Sequence, residues 1–179
     1  LRRDMDVIAN NIANANTAGF KVESLLLENQ PARTAEHADG PSELQYVTNW
    51  GMGRDFSQGA LDFTGRQFDV AIEGEGFFAV DFNGTEQYTR DGRFRTDADG
   101  QLVAADGAPV LDADSRAPIL LDPNATETVI VDGGVIMQDG QAVGRIGVFE
   151  VPNRSLMTKE GNGRYTVANA DDPENQPQP

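Results

Sequence analysis

The 179 residues carry 14 Lys plus Arg against 29 Asp plus Glu, a formal charge of −15, which makes phosphate backbones and anionic membranes poor partners. Cysteine is absent, and with it disulfides, zinc–thiolate sites and thiol catalysis. The length allows one or two domains with a real core, and no apolar run approaches the roughly 20 residues that a membrane-spanning helix needs.

The chain opens on a helix. Leu1, Met5, Ile8, Ile12 and Ala15 recur at spacings of four, three, four and three, the seam of a coiled coil rather than the broader face of a core helix. The stripe is already running at Leu1, so the sequence is expected to enter partway along that helix. Asp4, Asp6, Asn10 and Asn11 fall off the seam, and Ala9 and Ala13 keep one flank narrow enough for close approach. A helix packed on its own domain accounts for the periodicity equally well. The helix should end soon after Ala15, because Asn16 and Thr17 compete for the backbone and Gly19 suits the left-handed C-terminal position. Four asparagines lie between positions 10 and 16, where they lower helix propensity without forming a catalytic group. A specific structure is being built there.

Lys21 to Asn29 (KVESLLLEN) flanks three leucines with charge, and a short helix or a strand would serve. From Gln30 to Gly59 the periodicity is lost while Pro31, Gly40, Pro41, Gly51 and Gly53 accumulate; Tyr46, Val47, Trp50, Met52 and Phe56 nevertheless seek burial. The reading is an ordered extended connector over 30–58, joining a helix and helix exit at 1–29 to a β-rich domain at 59–168. In that domain Phe68–Ile72, Gly76–Phe82 and Tyr88–Phe94 are short β-runs, with turns at Glu73–Gly76, Asn83-Gly84 and Asp91-Gly92. Further turns fall at Asp99-Gly100, Asp106-Gly107, Asp132-Gly133 and Asp139-Gly140, the last two bracketing Val135–Gln138 after Thr128–Val131. Arg145–Val151 reads as a strand that Pro152 stops, and Gly163–Val167 adds one more. Residues 169–179 are polar and Pro-rich and are expected to form a loose tail, or one docked from outside. The expected fold class is mainly β, an antiparallel β-rich domain with an N-terminal α-helix and an extended connecting arm.

Residues with catalytic potential are sparse. Asp97, Asp99 and Gly100 share part of a calcium-loop spacing, but Arg95 stands where the loop needs an acid and Asp106 where it needs a bidentate Glu, so a solvated turn is expected. Gly74-Glu75-Gly76 lacks the third glycine of a dinucleotide fingerprint. His37 is the single histidine and sits in the polar connector. Asp112 and Asp114 could imitate a glycosidase pair, as turn acids in an acidic chain often do. Adjacent Phe77 and Phe78 should face opposite sides of a sheet, one in the core and one in a contact. The expectation is therefore no enzyme, cofactor, metal or small-molecule substrate, no nucleic acid and no membrane insertion. The competing class is a secreted carbohydrate-binding β module with Trp50 as its platform, although such a module has no use for a terminal heptad stripe.

The stretch NNIANANTAGF, with Asn10, Asn11, Ile12, Ala13, Asn14, Thr17, Gly19 and Phe20 in register, resembles the N-terminal signature of the flagellar axial proteins, the rod, hook and hook-junction subunits. Gln58-Gly59, Leu61, Thr64-Gly65, Asp69–Ile72, Gly74, Gly76, Phe77 and Phe78 resemble the block these proteins carry after their connecting arm. Tyr88-Thr89-Arg90, Gly92, Phe94, Gly100, Leu102, Val103 and Gly107 resemble the next block, and Gly161–Tyr165 the segment before the family's C-terminal helix. The resemblance implies a rod subunit in the basal body, in the periplasm. Its partners would be copies of itself, other rod proteins and, during secretion, the flagellar export apparatus. It further implies that Met5, Ile8 and Ile12 pair with another helix to line the tube, and that Gly19 supplies the bend out of the helix while Phe20 packs back on the last turn. FDVAIEGEGFF, KVESLLLE and the short outer domain resemble the proximal-rod branch more than the distal-rod branch, and a hook subunit would carry a larger insertion. The family's C-terminal helix and the start of its first helix are expected to lie outside this sequence.

Overall fold

The opening stripe forms α1 (Arg2–Ala13), after which Asn14 N–H still reaches the Asn10 carbonyl at 3.1 Å and Thr17 N–H closes a turn on the Asn14 carbonyl at 2.9 Å. The computed structural model describes residues 2–31, 45–170 and 172–179. The chain divides into two units, Leu1–Thr17 with Lys21–Ser57 and Ala18–Phe20 with Gln58–Pro179.

In the first unit the leucine-rich stretch is a strand. β1 (Glu23–Pro31) pairs antiparallel with β2 (Gln45–Arg54), from Glu23 opposite Arg54 to Pro31 opposite Gln45, with a bulge at Leu26/Leu27. Asp55 N–H continues the ladder onto the Val22 carbonyl at 2.9 Å. Of the ordered extended connector expected over 30–58, residues 30–31 and 45–54 are strand, paired within the sheet rather than running as a free arm. A two-stranded ribbon imposes no strict alternation, because neither face must be buried throughout, and this is why the sequence shows no period there. His37 lies outside the described residues, as do the side chains of Tyr46, Val47, Trp50 and Met52.

The second unit is a set of antiparallel sheets. In chain order its strands are β3 (Phe77–Phe82), β4 (Thr85–Thr89), β5 (Arg95–Thr96), β6 (Leu102–Val103), β7 (Thr128–Val131), β8 (Val135–Gln138), β9 (Gln141–Arg145), β10 (Val148–Phe149), β11 (Met157–Gly161) and β12 (Arg164–Val167). They form a five-stranded sheet ordered β10-β3-β4-β12-β11, a three-stranded sheet β7-β8-β9 and the pair β5-β6. The hairpin turns use the residues that left-handed geometry favours: Asn83-Gly84 (φ 55° and 78°), Asp139-Gly140 (48° and 81°) and Asn162-Gly163 (49° and 70°). Among the described residues no helix is long and apolar enough to cross a membrane.

Three expectations need correction, and one open alternative is decided. Phe68–Ile72 makes one bridge, Asp69 to Arg93, rather than a strand, because Val70 N–H bonds the Gly92 carbonyl and the segment has a ladder on one side only. The run from Tyr88 stops at Thr89, where the Thr89 hydroxyl accepts from Asp91 N–H and turns the chain away. Arg145–Val151 is shared between two sheets, β9 ending at Arg145 and β10 beginning at Val148. Of the two alternatives for the tail, loose or docked, it is docked. Gln178 and Glu150 exchange backbone hydrogen bonds at 2.7 and 3.1 Å, and Arg116 Nη2 donates to the Pro177 carbonyl at 2.8 Å.

Both faces of the five-stranded sheet are covered. Phe78 and Val80 join Leu102, Val110, Ile136 and Ile146 in one core, where Phe78 meets Phe94 edge-on at 5.1 Å. Phe77 and Phe149 are fully buried on the other face, with Phe77 edge-on to Tyr165 at 6.1 Å. The contact role expected for one of Phe77 and Phe78 is thus corrected, because a double-sided sheet buries both. Each such aromatic contributes about 1.5–3 kcal/mol by leaving water.

Candidate assembly site

The seam of α1 points outward. Met5 is 67%, Ile8 56% and Ile12 70% exposed, and Ala15 is exposed as well, while Leu1 lies outside the described residues. The other flank of the helix carries the asparagines, and they account for the composition that looked odd in sequence.

Asn11 acts as a surrogate strand residue. Its Nδ2 donates to the Glu23 carbonyl at 2.7 Å and its Oδ1 accepts from Glu23 N–H at 3.1 Å, so a side-chain amide completes the ladder at the first residue of β1. Asn10 Nδ2 donates to Glu23 Oε2 at 3.1 Å, and Arg54 Nε donates to Glu23 Oε1 at 3.3 Å. Asn14 Nδ2 turns back to the Asn10 carbonyl at 2.8 Å and Oδ1 at 3.0 Å, and the Thr17 hydroxyl donates to Asn14 Oδ1 at 3.3 Å. Beside them Lys21 Nζ donates to the Ser57 carbonyl at 2.7 Å. Lys21 and Glu23 are buried at 7% and 6% exposure, whereas Val22 between them is 51% exposed. The hairpin root therefore has polar residues inside and apolar residues outside.

Gly19 and Phe20 belong to the β-rich unit. Gly19 adopts φ +70°, and a Cβ there would stand 2.5 Å from the Arg90 carbonyl carbon, so both conformation and space demand glycine. The Phe20 ring receives Lys159 Nζ of β11 at 5.0 Å, a cation–π contact.

The block residues of the β unit are structural supports. Asp69 Oδ2 accepts from the Thr64 hydroxyl and from Arg66 Nε, both at 2.8 Å, fixing the turn that contains Gly65. Gly59 and Gly74 stand in open surroundings, while Gly76 leads into β3 beside Val148. Gly92 lies where a Cβ would collide with the Val70 carbonyl oxygen. The Arg90 guanidinium lies 5.1 Å from the centre of the Phe77 ring, and burial, then nearby Arg154, lowers its pKa. Burial, then the hydrogen bond to Glu86, pushes the Tyr88 phenol up, outweighing the opposing pull of Arg116.

The acidic candidates hold loops. Asp97 Oδ1 accepts from Asp99 N–H at 3.0 Å and Gln101 N–H at 2.8 Å, the pattern of an aspartate-closed turn. Asp112 accepts from the N–H groups of Asp114, Ser115 and Arg145 at 2.8–3.0 Å, and Asp114 pairs with Arg145 at 2.8 Å. Burial pushes the Asp112 carboxyl up, but the Ser115 and Arg145 N–H groups outweigh it and the net shift is downward. The two acids share a loop rather than facing one cleft.

Sequence reasoning missed Glu23, Arg54, Arg116 and Arg164. Arg116 pairs with Glu86 and stacks 4.0 Å from the centre of the Phe149 ring; Arg164 is buried, pairs with Asp106 and stacks 3.9 Å from Phe82. Only Lys21 and Glu23 left a signal, since residues two apart share one face of a strand.

The family model described as "Flagella basal body rod protein" matches residues 1–21, and that described as "Flagellar hook protein FlgE/F/G D1 domain" matches residues 71–138. The flagellar basal-body rod protein FlgF of Caulobacter vibrioides is 46% identical over 92% of this chain and 67% of its own length. The FlgF of Mesorhizobium japonicum is 34% identical over 97% of this chain and 69% of its own length. The rod protein FlgG of Bacillus subtilis is 31% identical over 90% of this chain, below both FlgF relatives. The chain thus spans about two thirds of the length of these relatives. It belongs to the flagellar basal-body rod protein family, as a structural subunit of the rod.

Proposed function

We propose that α1 is the polymerising element of this subunit and that its Met5–Ile8–Ile12 seam pairs with a helix of the assembled rod. The observation that carries the reading is the exposure of these side chains, 67%, 56% and 70%. Each isoleucine or methionine covered by a partner helix contributes about 1.5–3 kcal/mol, so a seam of three supplies a substantial part of an assembly contact. The asparagine clasp fixes the helix to the root of the hairpin, and Gly19 passes the chain into the β unit. Within the polymer, copies of the chain and other rod proteins form the neighbours, and the β units lock against them so that torque passes without slipping. The role is mechanical and has no catalytic step. Before assembly the subunit travels unfolded through the flagellar export apparatus, for which a chain without cysteine is well suited.

The test is Ile8→Asp in the full-length protein. Rod incorporation and motility should be lost while the β unit melts as in the wild type. Normal motility in that variant would refute the assignment.

A further inference from the structure

The last strand of a sheet is where a protein is most open to unwanted pairing, because its outward N–H and C=O groups template another chain. β10 is the last strand of the five-stranded sheet on one side. Its edge is occupied from within. Glu150, the residue after β10, exchanges backbone hydrogen bonds with Gln178 at 2.7 and 3.1 Å, so the tail supplies the rung that a further strand would supply. Before β10 the Arg145 carbonyl accepts from Ala113 N–H at 2.8 Å, which ties the loop that contains Arg116 to the same run.

The tail is built to reach that edge. It follows β12, and β4 and β3 lie between β12 and β10, so it spans the width of two strands. Two turns direct it. Asn169, at φ 55°, accepts from Asp172 N–H at 3.0 Å, and the Asp172 carbonyl accepts from the N–H groups of Asn175 and Gln176 at 2.9 and 3.0 Å. Pro177 is then buried, and Arg116 grips its carbonyl through Nη2 at 2.8 Å. The same guanidinium pairs with Glu86 of β4 through Nη1 and stacks 4.0 Å from the centre of the Phe149 ring of β10. One side chain therefore joins the tail to two strands of the sheet. Arg116 does this from φ 57°, a backbone conformation that non-glycine residues rarely adopt.

We propose that residues 176–179 form an intramolecular edge guard, latched by Arg116, that keeps the five-stranded sheet from pairing through β10 with a second copy of the chain. The proposal rests on the rod reading for the identity of that neighbour, since subunits of a rod are held side by side. Two identical edges can pair antiparallel about a two-fold axis, and such a contact closes on itself where a rod contact has to propagate. Charge is no substitute for the guard, because the repulsion between copies carrying −15 each is screened beyond about 10 Å at 0.1 M salt.

The experiment uses the full-length protein carrying Ile8→Asp, which silences helix pairing. Into this parent go Arg116→Gly, which suits the positive φ while removing the grip, and Gln178→Pro, which deletes the N–H that bonds Glu150. In sedimentation velocity the tail-released protein should show a sedimentation coefficient that rises with concentration more steeply than the parent's. Adding Glu150→Pro, which removes the outward N–H of the edge, should return it to the parent's behaviour. Tail-released protein that sediments as the parent does, or association that persists with Glu150→Pro, would overturn the guard. Its failure is distinct from failure of the rod reading, because rod incorporation of the Ile8→Asp parent refutes the seam without altering the difference between parent and variant.

Discussion

The two units of this chain are built on opposite rules. In the β unit apolar side chains face inward, with Phe77, Val80, Leu102, Val110, Ile136 and Phe149 all at 0% exposure. In the helix and hairpin unit the described residues reverse this: Lys21 and Glu23 are buried, while Met5, Ile8, Ile12, Val22 and Leu26 are 42–70% exposed. The β unit carries its stability in a packed apolar core. Among the described residues of the helix and hairpin unit, amide and charge contacts tie α1 to the hairpin root, and on the proposed reading its exposed apolar side chains are covered by a partner. A subunit that must meet neighbours through a helix has reason to be built this way, because burial completed inside the monomer cannot also drive assembly.

The sharpest way to break this contrast is to make equivalent truncations on its two sides. Phe78→Ala should destabilise the β unit by about 3–5 kcal/mol, read as a fall in its melting temperature, since a cavity is left in a filled core. Gly19→Val should come next, costing about 1–3 kcal/mol in backbone strain alone, with faster proteolysis around Phe20 as the readout. Asn11→Ala removes both partners of Glu23's backbone and should cost about 1–3 kcal/mol locally, seen as faster amide exchange in β1 with no change in β3 or β4. At Asp112 the prediction concerns pH. Its folded pKa is lowered, so its stabilisation is present above about pH 4 and is lost as the pH falls through the lower folded value; Asp112→Asn should flatten the acid limb of the β unit's stability curve. The smallest effect belongs to the helix, where Ile8→Ala in this chain alone should stay within about 0.5 kcal/mol, because an exposed side chain has little burial to lose.

Much of the fold was legible because it is written in local chemistry. Asn83-Gly84 and Asp139-Gly140 each marked a hairpin, and Leu1, Met5, Ile8 and Ile12 marked a helix with an apolar stripe. What escaped was set by distant partners. Arg116 meets Pro177, 61 positions away, so nothing near the tail decided between a loose and a docked course. The hairpin escaped for another reason: a ribbon with an inverted root presents no apolar period, and Lys21 and Glu23 look like surface residues until Asn10, Asn11 and Arg54 are seen around them. The asparagines of the opening motif were visible as anomalies of helix composition, but their task became clear only when Asn11 was found completing the ladder of β1.

The account's central claim is that the seam of α1 is exposed in the single chain and covered in the rod. The most direct measurement is maleimide labelling of Ile8→Cys, the one thiol in an otherwise cysteine-free chain, in the isolated chain and in purified basal bodies. Rapid labelling of the isolated chain with protection in basal bodies is the predicted result. Equal labelling in both would mean that the seam meets no partner in the rod and would contradict the account.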